Sequence, residues 1–219
     1  AERELQESID RLRKTLEGVI MALALIVETR DPYTAGHQRR VAELASAIAR
    51  EIGLSAEQIE GVRFASIVHD IGKMNVPAEI LSKPGRLSDL EFSLIKSHPQ
   101  AGFDILKTID FPWPIAQIVF QHHERANGCG YPSQFLDEHI LPEARILAVA
   151  DVVEAMASHR PYRPARGIDE ALAEIANGRG TLYDADVVDA CLKVFAEGNF
   201  KFEEGLSEFS AAGRSGPRG

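Results

Sequence analysis

Cysteine is scarce in this chain of 219 residues, which contains only Cys129 and Cys191. Two isolated cysteines form neither a disulfide framework nor the paired thiolates of a zinc finger. No apolar run approaches the roughly 20 residues that a transmembrane helix needs, and the polar N-terminus does not resemble a secretory signal. These absences lead us to expect a cytoplasmic protein without a membrane span.

Positive charge is also in short supply. The chain has 24 Lys and Arg against 33 Asp and Glu, which gives a formal net charge of −9. Duplex nucleic acids are bound by clustered Lys and Arg, so this balance argues against a nucleic-acid duplex as partner. A small anionic ligand stays compatible with it, because bound metal ions can reverse the local field.

The apolar residues recur with a helical period along most of the chain, which predicts an all-α fold. Ser55 with Gln58, and Ser88 with Glu91, have the spacing of a capping box at a helix start. No convincing run of alternating strand residues is present. The predicted helices cover about 5–26, 37–51, 56–70, 89–97, 99–108, 114–124, 142–157, 168–177 and 185–197.

The first predicted helix carries a heptad seam. Its members, spaced alternately four and three residues apart, are Leu5, Ile9, Leu12, Leu16, Val19, Leu23 and Ile26. Such a seam is typical of a parallel dimer helix, here one that continues from an upstream region. Because the run is short, an amphipathic helix packed on its own domain stays open as the alternative, and the dimer helix is the favoured interpretation.

Two carboxylates stand inside strongly apolar runs. His69 and Asp70 follow Phe-Ala-Ser-Ile-Val, and Asp151 follows Ile-Leu-Ala-Val-Ala. A buried carboxylate is costly unless it is paired or binds a metal. Each of these residues alone fits an ordinary core position, but together with the adjacent His122 and His123 they suit divalent cations with imidazole and carboxylate ligands.

Further residues suit a phosphate ligand. Lys73 lies four residues after His69, so a continuous helix would place both on one face and aim the ammonium at a metal-bound phosphate; a solvated turn lysine is the alternative. Tyr131 follows two glycines in a loop just after the histidine pair, where its ring can stack on a base. Arg160 and Arg163 carry guanidinium groups that suit phosphates, although either alone fits a surface charge.

These residues form an ordered set that resembles the HD-GYP subgroup of the HD-domain metal-dependent phosphohydrolases. The resemblance extends over about residues 22–196. The matching segments are Asp31–His37, His69–Lys73, Leu81–Gly85, Ser97–Pro99, His122–Arg125, Gly130–Pro132, Ala148–Asp151 and Arg160–Arg163.

The resemblance implies an HD-domain helical bundle with two divalent metal ions, iron or manganese in the first instance. One ion would take His37, His69, Asp70 and Asp151, and the other would take His98, His122 and His123, with Asp70 bridging both. Some members hold a third ion through a Glu four residues before the first His. Tyr33 occupies that position here, so we expect a dinuclear site.

The implied activity is hydrolysis of cyclic di-GMP. A metal-bridged hydroxide would attack phosphorus to release linear pGpG, with cleavage to GMP as a second step. Asp70 and Lys73 would serve catalysis. The implied substrate contacts are Lys73, Tyr131, Arg160, Arg163 and Asp31.

Two alternatives to the phosphodiesterase and one domain division complete the predictions. The chain departs from the subgroup pattern at Asn127 and Cys129, which concerns the geometry of the Gly130-Tyr131-Pro132 loop. The first alternative is a weakly catalytic signalling module that binds a cyclic dinucleotide, or that binds a protein partner through that loop. The second is an enzyme with another chemistry on the same scaffold, either a different nucleotide phosphohydrolysis or an oxygenation. We expect a heptad helix over 1–30 that forms a homodimer, a catalytic domain over 31–200 and a largely disordered extension over 201–219.

Overall fold

The computed structural model describes residues 2–30, 36–158, 167–198 and 200–202. Within these ranges the chain forms ten α-helices and two short 3-10 helices, together with two isolated β-bridges and no strand. The predicted all-α fold is therefore confirmed. None of the helices in the described part of the chain is long and apolar enough to cross a membrane.

The helix bounds agree with most of the predicted helices. The α-helices are α1 Glu2–Arg30, α2 His37–Ile52, α3 Ala56–Val68, α4 Ala78–Leu81, α5 Asp89–Ile95, α6 His98–Leu106, α7 Ile115–Gln121, α8 Pro142–Ala157, α9 Ile168–Asn177 and α10 Ala185–Ala196. The 3-10 helices are Ile71–Asn75 and Asp137–His139. Both predicted capping boxes are present, at the starts of α3 and α5.

One predicted helix ends early, with consequences for the site. The helix expected over 56–70 ends at Val68, and Asp70 leaves helical geometry with φ −92° and ψ 5°. Lys73 then lies in the first 3-10 helix, so the idea that one continuous helix carries Lys73 and His69 on the same face is wrong. The turn at Asp70 instead lets the lysine fold back onto that carboxylate.

The core is built from faces of α2, α3, α7, α8 and α10. On α2 the fully buried Val41, Leu44 and Ile48 follow the helical period, and Val62 on α3 and Leu147 on α8 meet them. Burial of each large aliphatic side chain contributes about 1.5–3 kcal/mol relative to its exposure. This packing brings the C-terminal end of α3, the middle of α8 and the N-terminal end of α2 to one place.

A close backbone approach holds the first 3-10 helix against α6. A Cβ atom on Gly72 would overlap the carbonyl oxygen of His98 and would lie 2.5 Å from the backbone nitrogen of Gly102. Only a residue without a side chain fits there. The approach keeps the segment after Asp70 beside the start of α6, where His98 stands.

Helix α1 has two apolar faces. Ile20, Ala24 and Val27 are buried against the core at helical spacing, and the helix contacts α3 and the first 3-10 helix. The seven heptad residues are between 37% and 70% exposed. The seam therefore does not pack on its own domain.

The predicted domain boundaries at residues 30 and 200 stay predictions. Residues 203–219 of the expected extension lie outside the described ranges.

We predict that Gly72→Ala lowers the free energy of unfolding by about 3 kcal/mol, because the added methyl group must displace backbone rather than a flexible side chain. Urea unfolding followed by circular dichroism measures the change. Gly18→Ala is the matched control: Gly18 is exposed within α1 with open space around it, and alanine there should raise stability by up to about 1 kcal/mol. Equal stability of Gly72→Ala and the wild type would contradict the prediction.

Candidate metal centre

Seven predicted ligands come from five separate helices or their ends. His37 begins α2, His69 and Asp70 follow α3, His98 begins α6, His122 and His123 follow α7, and Asp151 lies within α8. All are buried except His123, which is half-buried. Residues separated by up to 114 positions in sequence thus meet at one place.

The imidazoles fall into two groups. The ligand atoms of His98, His122 and His123 all lie within 4.8 Å of one another, as do those of His37, His69 and Asp70. We call these the histidine cluster and the mixed cluster. Asp151 belongs beside the mixed cluster, because its Oδ1 lies 3.3 Å from His37 Nε2 and 3.9 Å from His69 Nε2.

Asp70 stands between the two clusters. Its Oδ2 lies 3.5 Å from His69 Nε2 and 3.9 Å from His37 Nε2, within the mixed cluster. Its Oδ1 lies 3.5 Å from His98 Nε2, in the histidine cluster. One carboxylate therefore offers a separate oxygen to each group, as the predicted bridging role requires.

Hydrogen bonds at Nδ1 fix the imidazole orientations. His69 and His98 donate from Nδ1 to the carbonyl oxygens of Ser66 and Ile95, each at 2.7 Å. A carbonyl only accepts, so the proton is on Nδ1 and Nε2 carries a lone pair directed into the site. His122 has the same arrangement with the carbonyl three residues earlier. Ligating histidines are commonly oriented in this way.

The inward-facing nitrogens need positive charge. His69 Nε2 is buried without a hydrogen-bond partner, and the Nε2 atoms of His98 and His122 face each other at 3.3 Å with Nδ1 as the proton-bearing nitrogen. Lone pairs so placed repel unless a cation lies between or beside them. The donor set of imidazole nitrogens and carboxylate oxygens fits a divalent metal.

The protonation states suit the same role. Burial lowers the pKa of His98 to about 4 and lowers the pKa values of His122 and His123 well below their usual range, so these imidazoles are neutral near pH 7. Burial raises the pKa of Asp70, but the Lys73 ammonium and the surrounding imidazoles outweigh it and hold that pKa well below the ordinary value. Burial likewise opposes ionisation of Asp151, and its hydrogen bond from His37 overcomes it.

Two of the predicted substrate-contact residues lie at the centre. Lys73 Nζ donates to Asp70 Oδ2 at 2.6 Å, and its side chain is mostly buried. The Tyr131 ring lies 4.7 Å, centroid to centroid, from that of His123. Burial raises the pKa of Tyr131, which keeps its phenol protonated and able to donate. Asp31, Tyr33, Arg160 and Arg163 fall outside the described residues.

Comparison with known proteins fits this geometry. A model of the HD domain family matches residues 22–187. The chain belongs to the HD domain family. Among curated relatives, it is 37% identical over 213 residues to the cyclic di-GMP phosphodiesterase response regulator RpfG of Xanthomonas campestris pv. campestris, covering 96% of this chain and 55% of the relative. It is 38% identical over 198 residues to a cyclic di-GMP phosphodiesterase of Thermotoga maritima, covering 90% and 54%.

A solved structure supports the same assignment. The cyclic GMP-AMP specific phosphodiesterase V-cGAP3 of Vibrio cholerae superimposes with a TM-score of 0.54 at 31% identity, over 83% of this chain and 41% of that chain. The predicted HD-domain membership is confirmed, and these relatives are consistent with the HD-GYP subgroup. The chain spans little more than half the length of these two curated relatives.

Glu154 is a residue of this HD domain that the sequence reasoning missed. Its carboxylate is fully buried and accepts hydrogen bonds from His37 Nδ1, from Arg40 Nε at 2.7 Å and from Ser158 Oγ at 2.6 Å. Burial raises its pKa, but His37 outweighs burial and lowers the pKa to about 2. Its position three residues after Asp151, on the same helix face, was the available signal.

Glu124 was also missed, and it organises the loop that carries Tyr131. The buried carboxylate accepts backbone N–H groups of Ser133 at 2.7 Å and of Gln134 and Phe135 at 3.1 Å each. A Cβ on Gly130 would lie 2.5 Å from Glu124 Cα, so the loop closes directly over this residue. Glu124 stands within the matching segment His122–Arg125, but nothing local to it indicated that it holds the loop.

The departures from the subgroup pattern leave the loop turn closed. Asn127 Oδ1 accepts the backbone N–H of Cys129 at 3.1 Å, and Gly128 between them has φ +76°. Asn supplies the same side-chain acceptor that Asp would supply in such a turn. Cys129 is exposed and takes no ligand position.

We predict that Glu124→Ala lowers the free energy of unfolding by about 3 kcal/mol, because three backbone donors lose a buried charged acceptor. Chemical denaturation measures the loss. Glu138→Ala is the matched control, since that side chain is 77% exposed in the neighbouring 3-10 helix and should change stability by no more than about 0.5 kcal/mol. If the two variants are equally stable, Glu124 does not hold the loop.

Proposed function

We propose that this chain is a metal-dependent phosphodiesterase that hydrolyses cyclic di-GMP. The observation that carries the proposal is the position of Asp70, whose two oxygens lie 3.5 Å from imidazole nitrogens of different clusters. Two-ion sites of this kind, with ions about 3.5–4 Å apart, are suited to in-line displacement at phosphorus. The names of the relatives support the same reaction.

The proposed ligand assignment follows the two clusters. His37, His69, Asp70 and Asp151 would hold one ion, and His98, His122 and His123 would hold the other, with Asp70 shared. Neutral imidazoles with ionised carboxylates suit iron or manganese as well as other divalent ions. When bound, the ions would activate water and neutralise charge on the phosphate.

The chain's own residues position the ester and move the proton. Lys73 Nζ lies 2.6 Å from Asp70 Oδ2. Its ammonium would therefore lie near a non-bridging phosphate oxygen or the departing 3′-oxygen of a substrate bound at the centre. There it can stabilise negative charge and donate a proton to the leaving group. Tyr131 stands over His123 with a protonated phenol, which suits hydrogen bonding to phosphate or stacking on a base.

The proposed substrate is cyclic di-GMP, cleaved to pGpG and then to GMP. Two curated relatives are named for cyclic di-GMP, and the structural relative is named for cyclic GMP-AMP, so the latter is the comparison substrate. Arg160, Arg163 and Asp31 complete the proposed substrate contacts. A protein partner at the Gly130-Tyr131-Pro132 loop belongs to the same proposal. So does a cytoplasmic setting, with both described cysteines free.

The heptad seam is the proposed dimer surface. Its apolar side chains point away from the domain on α1, with Leu12 70% and Leu5 62% exposed. Apolar positions at alternating four and three spacing gain burial when two such helices pair. A second copy of α1 carries the same stripe and is therefore the partner that this surface suits.

We predict that purified protein supplied anaerobically with Mn²⁺ or Fe²⁺ converts cyclic di-GMP to pGpG, and that chelation or Asp70→Asn lowers kcat by about a thousandfold or more, since the shared ligand is lost. Chromatography of the products measures turnover, with cyclic GMP-AMP run in parallel. Asp104→Asn, at an exposed position of α6, is the matched control and should retain activity. Tight nucleotide binding without product over hours would favour the binding-module alternative.

We also predict that the chain sediments as a dimer at tens of micromolar and that Leu12→Glu converts it to a monomer, because a charge in the seam must be desolvated on pairing. Leu90→Glu introduces the same charge at a position 74% exposed on α5, away from the seam, and should leave the dimer intact. A monomeric wild type would show that the seam does not pair two copies.

A further inference from the structure

The N-cap residue of helix α2 has no side chain that could cap the helix. Its N-cap is Gly36, which has the left-handed φ of +71°, and the first turn of α2 contains no acidic residue. The first N–H groups of a helix lack internal partners and are stabilised by nearby negative charge. A carboxylate group placed beside it therefore stabilises the start of α2, where His37 stands.

Glu28, in the last turn of α1, supplies that group. Its Oε2 accepts a hydrogen bond from the backbone N–H of Gly36 at 3.0 Å. The contact resembles the half of a capping box in which a carboxylate reaches back to the N-cap N–H, but here the carboxylate comes from the preceding helix. It holds the backbone nitrogen of Gly36, the residue immediately before His37, whose Nε2 lies 3.3 Å from Asp151 Oδ1.

The same turn of α1 also reaches the other side of the metal centre. Arg30 Nη1 donates to the carbonyl oxygen of Met74 at 2.6 Å. Met74 follows Lys73 in the first 3-10 helix, and Lys73 in turn donates to Asp70. Glu28 and Arg30, which flank Thr29 on α1, thus hold the backbone on two sides of the metal centre. Glu28 holds it beside His37, and Arg30 holds it beside Lys73.

Helix α1 is held to the domain elsewhere by contacts that do not involve the centre. Ile20, Ala24 and Val27 are buried, and Glu17 accepts from Arg63 of α3 at 2.8 Å. The seam on the opposite face of α1 is exposed. A change in how α1 is seated, caused by whatever covers the seam, would consequently reach the metal centre through Glu28 and Arg30.

We infer that Glu28 and Arg30 are positioning residues. They couple the position of α1 on the domain to the positions of His37 and Lys73, so that this helix can regulate the site. Glu28 acts on the affinity of the mixed cluster for its ion, and Arg30 acts on turnover through Lys73. The inference rests on the proposed function for the roles of His37 and Lys73.

The first test is a calorimetric titration of the metal-stripped full chain with Mn²⁺. Glu28→Ala should weaken one binding step about tenfold and leave the other unchanged, because the histidine cluster is held by other helices. Glu28→Gln keeps an acceptor oxygen and should recover affinity to within about threefold of the wild type. Glu17→Ala removes another α1 contact far from the centre and should leave both steps unchanged.

Hydrogen exchange and kinetics complete the test. Glu28→Ala should speed amide exchange in a peptide covering the first turn of α2, whereas Glu17→Ala should not. Arg30→Met should lower kcat about tenfold with Mn²⁺ affinity as in the wild type, since only the placement of Lys73 changes.

The outcomes separate this inference from the proposed function. Unchanged Mn²⁺ affinity and exchange in Glu28→Ala would overturn the inference, as would an equal effect of Glu17→Ala, which would indicate general undocking of α1. A wild type that binds Mn²⁺ in a Glu28-dependent manner but hydrolyses no cyclic dinucleotide would support the positioning role of Glu28 and overturn the proposed function alone.

Discussion

A carboxylate withdrawn from water must find positive charge, and Asp70 is the place where this chain meets that requirement. Burial opposes its ionisation, and the ammonium of Lys73, which donates to it at 2.6 Å, is the largest of the causes that hold its pKa below the ordinary value. Because its two oxygens face different groups of histidines, the position of this one side chain relates all the other candidate ligands to one another. The rest of the architecture keeps Lys73 and the surrounding histidines close to Asp70.

Backbone geometry does much of that work. The departure from helical geometry at Asp70 ends α3 and starts a 3-10 helix, which lets Lys73 fold back onto the carboxylate. Gly72 then permits backbone contact with the start of α6, so that His98 stands opposite Asp70. The spacing of three residues between Asp70 and Lys73 suits this contact, because side chains three residues apart eclipse one another in a 3-10 helix.

Buried carboxylates outside the ligand set support the site from behind. Glu154 accepts from His37 and from Arg40, which joins α2 to α8 at the first ligand. Glu124 gathers three backbone N–H groups and holds the loop that brings Tyr131 over His123. Such residues rigidify a site because each is satisfied by several donors, and removal of one leaves buried groups unpaired. Glu28 extends the same principle to α1.

The sequence by itself determined the helical class, most helix bounds, and the identity of the residues that meet at the centre. It could do so because periodicity and capping spacings are local, and because His and Asp inside apolar runs are costly without partners. His37 and His98 stand in no such run, and only the family resemblance added them to the set. Which oxygen of Asp70 faces which histidine was decided only by the tertiary structure, as were the roles of Glu124, Glu154 and Glu28. Those roles depend on distances between helices, and helix packing sets those distances through contacts among residues far apart in the chain.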